Sequence, residues 1–520
     1  MNNKKTNKHI ALGLGALLAV SAVMGCGGKN SGGSGENSFT YWAPLDSKIS
    51  TISPTWGDTP LYKKLQEVTG INVNFIHPPT GNNVENFNIL MASSDLPDVI
   101  QFNWTNYAGG PGKAISDGVI EDLYEYKDKI PNLMKYLNAN HDIKKIVETG
   151  DGQLFSFPFV RGDESLVVSL GLAVRGDWLK ELGLEAPETM DEWENMLRQF
   201  KTKKGADAAL YFSLSSLKYG LFTGAYNCCY DYYVNDGKVT YGMLEPGFKE
   251  CLARLNKWYK EGLIDQSFSV TDQATLDSYV LNGKTGALAL SLGGGIGKYL
   301  STALSEEFDL AGTKSPVLNK GTYPEFGFYQ SQVPPTMNGT FTVLTKDSKN
   351  KDAAMKFLDF GYSDEGHMIY NFGIEGESYN MIDDYPTYTD LITKNPNGYP
   401  MNVMLAQYTG AVEAGPFIQD KRYMEQYAAK PQQREAWDLW TESNMKKHLL
   451  PNLYIGESEQ AESAQIDNDI KTYADEMVTK MIIGTESIDN YDNVVEELKR
   501  RGIERAIEIR QSAYDEYLKK

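Results

Sequence analysis

Apolar residues recur along this chain in two rhythms, and the alternation between them predicts its elements. Residues 39–42 read as a short strand closed by Ala43-Pro44. Thr59-Pro60 then opens a helix with Leu61, Leu65 and Val68 on one face and Gly70 as its stop. Residues 71–76 alternate as a strand, 87–92 are helical, and Asp95-Leu96-Pro97-Asp98 leads into a strand over 99–102. This strand–helix order predicts an α/β domain. Asp151-Gly152 marks a turn before a strand over 153–159, and 166–174 form a second apolar strand running into Asp177-Trp178-Leu179. A helix follows from Met190 to Phe200, a hairpin turn at Asn235-Asp236-Gly237-Lys238, and an amphipathic helix over 248–260 stopped at Gly262. Residues 351–360 give another helix, with Ala354, Phe357 and Leu358 on its buried face. The last hundred residues are mostly helical and heavily charged, and no short repeat is visible.

The N-terminus follows neither rhythm. Lys4, Lys5 and Lys8 precede an apolar run over 10–24, and a Gly/Ser/Asn-rich stretch follows Cys26. The run is shorter than the ~20 apolar residues a spanning helix needs, so it predicts a signal peptide over 1–25. Val23, Met24 and Gly25 before the cysteine resemble the lipobox of bacterial lipoproteins. That resemblance implies cleavage before Cys26, lipidation of its sulfur and a mature protein held at the outer face of the cell membrane. Residues 26–37 then read as a flexible tether. Removing 25 of 520 residues leaves 495, for which two domains are expected.

Charge narrows the partners. The full chain carries −19, and losing three lysines with the signal leaves 47 basic against 69 acidic residues. So acidic a protein is not expected to hold nucleic acid or anionic lipid by charge. Cys228, Cys229 and Cys251 remain after Cys26, an odd number that gives no disulfide framework; buried, idle thiols are expected. The 32 tyrosines and 8 tryptophans suit sugar binding through ring faces, and equally suit core packing.

Motifs for chemistry fail on spacing. Gly283-Lys284-Thr285 has Ser278 where a phosphate loop needs its first glycine, and Gly293–Lys298 has Leu292 before it and Tyr299 after it. His77, His141, His367 and His448 are too far apart in sequence for a local zinc pair. Asp467-Asn468-Asp469 starts like a calcium loop but lacks its glycine and terminal glutamate. No G-x-S-x-G elbow occurs. No catalytic residue, metal ligand or cofactor is expected.

Seven segments in order resemble the family 1 extracellular solute-binding proteins of bacterial ABC importers: LPDVI (96–100), DGQLFSFPF (151–159), LAVRGDWLKELGLEAPETMDEW (172–193), KWYKEGLID (257–265), LNGKTGALAL (281–290), LTKDSKNKDAAMKFLDFGYSDEG (344–366) and FGIEGESY (372–379). The nearest branch is that of sugar- and oligosaccharide-binding lipoproteins. The resemblance implies an α/β fold of two periplasmic-binding-protein-like lobes, a hinge of crossing strands and a helix-rich C-terminal region. It places one lobe at 38–157 and 325–375, and the other at 158–324 and 376–520. It also implies a monomeric receptor that captures an oligosaccharide between the lobes and delivers it to ABC permease subunits. A peptide receptor, a surface polysaccharide-active enzyme and an adhesion lipoprotein remain alternatives.

Ligand residues are expected where strands end, because open α/β sheets bind ligands there. Trp42, and Asn103 with Trp104, follow strand ends in the first lobe; Arg175 follows one in the second, where it either meets ligand or pairs with Asp177. Tyr226 and Tyr230 lie in a Tyr-rich loop, and Trp437 and Trp440 on one helix face. Gly295 sits in a glycine run through which backbone can approach a ligand. Trp193 shares a helix face with Met196, Leu197 and Phe200 and is expected in the core.

Overall fold

A computed structural model describes residues 37–334 and 339–519. Cys26, the signal segment and nearly all of the tether lie outside the described residues.

Two sheets organise the chain. In the first, Ser38–Trp42 lies between Asn72–Ile76 and Val99–Phe102, all parallel. Phe341–Leu344 returns antiparallel beside 99–102, and Phe157–Pro158 forms the far edge. Parallel neighbours need crossovers, and the first is the helix Pro60–Thr69. Thr59 caps it by accepting from the Tyr62 amide at 3.2 Å, and Gly70 ends it at φ 68°. Phe39, Tyr41, Phe102, Phe157 and Leu358 are buried in the core of this sheet.

The second sheet has the order Leu310–Thr313, Leu170–Arg175, Ala287–Ser291, Leu210–Tyr211. The helix Met190–Lys204 packs on it behind a capping box of Thr189 and Glu192. Trp193, Met196, Leu197, Phe200 and Trp258 fill its core, as the helical spacing predicts. Cys228, Cys229 and Cys251 are free and buried there, and burial pushes the Cys228 thiol up to about 12. The opposite face is covered by the helix Pro431–Thr441, whose Trp440 ring lies on Gly171, where a Cβ would come within 2.4 Å.

Three segments cross between the sheets. Residues 159–162 run between 332 and 417–419: the Arg161 amide donates to the Gln332 carbonyl at 2.8 Å, and Val160 and Arg161 pair in parallel with Ile418 and Gln419. Phe326 and Phe328 still pack in the second core, so the return crossing begins after them.

Two expected strands are shorter than their apolar runs. Asp163 caps a single turn, Glu164–Val167, by accepting from Ser165 N and Oγ at 2.9 and 2.6 Å. The strand expected from 166 therefore starts at Leu170. Between 153 and 159 only Phe157–Pro158 joins the sheet, because Leu154 is held by Glu148 and Asp122.

Candidate functional site

Strand direction locates the site. Phe341 pairs with both Phe102 and Pro158. The crossings therefore leave the first sheet at the end where Trp42, Ile76 and Phe102 finish their strands. In the second sheet the chain enters at Leu170, which pairs with Ser291, and Tyr211 ends its strand on the same side. The two hinge-side ends are the candidate halves of a ligand cleft.

The first half is a cavity of about 300 Å³ whose lining includes Asp46, Trp56, Asn83, Gln101 and Glu413. Its walls are fixed by hydrogen bonds. Gln101 accepts from the Tyr41 hydroxyl at 2.6 Å and donates to the Ala414 carbonyl at 3.0 Å. Trp56 donates to the Pro44 carbonyl at 3.2 Å. His77 joins three loops: Nδ1 donates to the Ala43 carbonyl at 2.8 Å, and Nε2 accepts from the Trp56 amide at 3.3 Å and from the Thr55 hydroxyl at 2.8 Å. Burial holds its pKa below the usual histidine value, which favours the neutral tautomer these bonds require.

Charge in this half is acidic. Lys48 Nζ lies 2.8 Å from both Asp46 and Glu413. Asp46 also caps its short helix, accepting from the Lys48 amide at 2.8 Å. Burial opposes its ionisation, but the bonds from Lys48 prevail and hold its carboxyl below the usual range. For Glu413 burial prevails: its carboxyl is pushed up to about 7, with Lys48 offsetting only part of the cost.

The second half is a smaller groove of about 70 Å³ whose lining includes Tyr211, Ser213, Ser215, Ser216 and Tyr219. The Ser213 and Ser215 hydroxyls lie 2.5 Å apart, and the Tyr219 ring packs on Phe328 at 4.5 Å. No residue lining it is charged. Outside its lining, the Tyr427 ring lies over Gly293, where a Cβ would fall 2.1 Å from it. Lys48 from the first half lies within electrostatic reach of the Tyr427 hydroxyl.

The residues expected from sequence are distributed differently. Trp42 lies at the hinge-side end, but it is 4 % exposed and packs edge-on against Phe102 at 5.8 Å. Trp104 is 0 % exposed, wedged against Phe87 and Tyr107; neither ring offers a face to a ligand in this conformation. Asn103 accepts from the Thr105 amide and hydroxyl at 3.1 and 2.8 Å, which shapes the loop beside them.

Arg175 lies at the wrong end of the second sheet. Its strand runs away from the hinge, so Arg175 pairs with Leu310, on the far side from Leu170. There its guanidinium is sandwiched between Trp178 and Phe308 at 4.5 and 4.4 Å and paired with Asp177. Tyr226 is buried in the second core, and burial pushes its hydroxyl up to about 12. Tyr230 is buried too and donates to Asp475 at 2.8 Å, beside a separate cavity with Asp467 and Arg510. Trp437 and Trp440 donate to the Ser165 and Leu172 carbonyls at 2.9 and 3.0 Å, which ties their helix to the strand leaving the hinge. Gly295 is buried, and a Cβ there would meet Leu290 at 2.9 Å.

Sequence reading missed Trp56, Gln101 and Glu413 in one half and Tyr211, Ser213 and Tyr219 in the other. The only signal for the last three was a hydroxyl-rich run, YFSLSSLKY (211–219), after a two-residue strand. A third cavity, about 370 Å³, lies beside the hinge between Thr105, Lys113 and Asp151 and the segment 452–456. Among the described residues no group of three or more His, Cys, Asp or Glu side chains is placed to hold a metal ion, and no helix is long and apolar enough to cross a membrane.

Comparison with known proteins follows the same lines. The sequence model of the bacterial extracellular solute-binding protein family matches residues 54–368. Lipoprotein LipO of Bacillus subtilis is 25 % identical, covering 96 % of this chain and 97 % of LipO. The fructooligosaccharide ABC transporter substrate-binding protein FusA of Streptococcus pneumoniae is 24 % identical, covering 99 % and 98 %. Among solved structures, the alginate-binding protein AlgQ2 without calcium ion superposes with a TM-score of 0.74 at 22 % identity, covering 92 % of this chain and 98 % of AlgQ2. FusA in complex with kestose gives 0.74 at 20 % identity, covering 93 % and 99 %.

Proposed function

This chain belongs to the bacterial extracellular solute-binding protein family, and from that premise we propose that it is the receptor of an ABC importer for an oligosaccharide. The observation that carries this reading is the make-up of the cleft. One wall is lined by the hydroxyl-bearing Tyr211, Ser213, Ser215 and Tyr219; the other by the amides of Asn83 and Gln101, beside a Trp56 that is 6 % exposed. Sugar rings need such a mixture, with apolar faces on aromatic carbon and hydroxyls on fixed polar groups. FusA is named for fructooligosaccharides, which supports the same ligand class.

Function follows from the hinge. A solute touching both walls binds the closed arrangement more tightly than the open one, and that difference drives closure. Strands crossing at 159–162, 330–334 and 417–419 localise the bending to a few residues. The closed receptor then presents its solute to the permease. Cys26, lipidated after signal cleavage, is the proposed anchor that keeps the receptor at the membrane. The lobes are proposed to divide near these crossings, with the helical C-terminal region mostly on the second.

Incubation of the purified mature chain with oligosaccharides should raise its melting temperature and generate no new reducing ends. Release of smaller sugars by the pure protein would instead favour a surface enzyme. Stabilisation by peptides alone would favour a peptide receptor.

A further inference from the structure

We infer that the cleft selects neutral oligosaccharides and rejects those carrying uronate carboxylates. The inference rests on the carbohydrate-receptor reading and adds the charge class of the ligand. Of the described residues lining the two halves, only Asp46 and Glu413 are charged, and both are acids. The one cation beside them, Lys48, is shared between them at 2.8 Å to each. Two carboxylates on one ammonium leave this wall with a net negative charge when both are ionised. A uronate brought against it would meet like charge, weakly screened at Glu413, whose side chain is 12 % exposed, and more strongly screened at Asp46, 37 % exposed.

The rest of the cleft does not reverse this sign. The lobe-two wall offers hydroxyls and aromatic carbon, which serve neutral hydroxyl groups as donors and acceptors. Arg161, the guanidinium nearest the crossing, is 8 % exposed within the hinge and lines neither half, although Tyr219 of the second wall lies within its electrostatic reach. Its carbonyl is bound by the Gln332 side chain at 2.9 Å, which locks its backbone into the crossing. Lys421 and Arg422, farther along the crossing chain, are engaged by Asp163 and Asp420. Among the described residues, no bidentate basic fork of the kind that recognises carboxylates lines either half.

The test is a glycan array of neutral and uronate-bearing oligosaccharides of two to six residues, followed by calorimetry on the best of each class at pH 8 and low salt. The expected result is that a neutral ligand binds at least tenfold more tightly than its size-matched uronate. The gap should narrow as salt screens the repulsion. The variant Glu413→Gln, checked for folding by its melting transition, should narrow the gap by about 5- to 10-fold. A uronate that binds as tightly as any neutral sugar overturns this inference and leaves the carbohydrate receptor standing. Absence of binding to every glycan on the array, with a peptide or other solute bound instead, overturns the carbohydrate reading itself and the inference with it.

Discussion

Glu413→Gln should make stability fall less steeply as pH rises from 5 to 8. The carboxyl is only 12 % exposed and lies 2.8 Å from Lys48, an ammonium it shares with Asp46. The Tyr62 hydroxyl lies within electrostatic reach of the same carboxyl. Burial raises the Glu413 pKa from an ordinary 4.5 to about 7. In this window the folded chain keeps a proton that the unfolded chain has lost. Its contribution to stability is therefore fully present below about pH 4.5 and is lost as pH rises through about 7. At 1.36 kcal/mol for each tenfold step, the rise corresponds to about 3 kcal/mol as an upper bound. The pair with Lys48 forms only as Glu413 ionises, and its attraction is already contained in the value of about 7, so removing it adds no separate offset to the pH trend. The trend is therefore the readout. Melting temperatures of wild type and variant, taken at half-unit steps of pH, should show the variant gaining on wild type as pH rises. A difference that stays flat, or shrinks with rising pH, would refute the buried-carboxyl argument.

Other outcomes follow from the same geometry. Tyr219→Ala and Tyr211→Ala should weaken oligosaccharide binding by about 5- to 150-fold, the range of 1–3 kcal/mol for a stacking aromatic, with a smaller effect on melting than Trp193→Ala. Arg175→Ala should lower the melting temperature by removing a guanidinium sandwiched between two rings, while leaving ligand affinity unchanged; a loss of affinity alone would return Arg175 to the cleft. Cys26→Ser should release the protein into the medium or leave it as precursor, and unchanged partitioning into detergent would remove the proposed anchor.

Local signals in the sequence were sufficient for much of the fold. Thr59-Pro60 and Gly70, and Asn235–Lys238, are written in neighbouring residues, and each marks a cap or turn in the structure. The cleft was less legible because its walls depend on partners far away in sequence. Arg175 follows a strand end, as expected, but that strand runs antiparallel to Ala287–Ser291 and enters from the hinge. Its C-terminal end therefore faces away from the cleft, a direction set by pairing across more than a hundred residues. Trp42 and Trp104 do stand at the hinge-side end; strand position alone does not say which side chain turns inward, and both pack against neighbouring rings. Glu413 reaches the cavity from a loop more than three hundred residues after Asp46, and no local pattern announces it.

Hydrogen exchange on the mature chain, with and without a bound oligosaccharide, tests the central claim most directly. Exchange should slow in 44–56, 78–83, 211–219 and the crossing segments near 160, 332 and 418. The oligosaccharide should be recovered intact. Protection confined to other surfaces, such as the cavity around Tyr230, Asp467 and Arg510, would contradict a ligand held between the lobes.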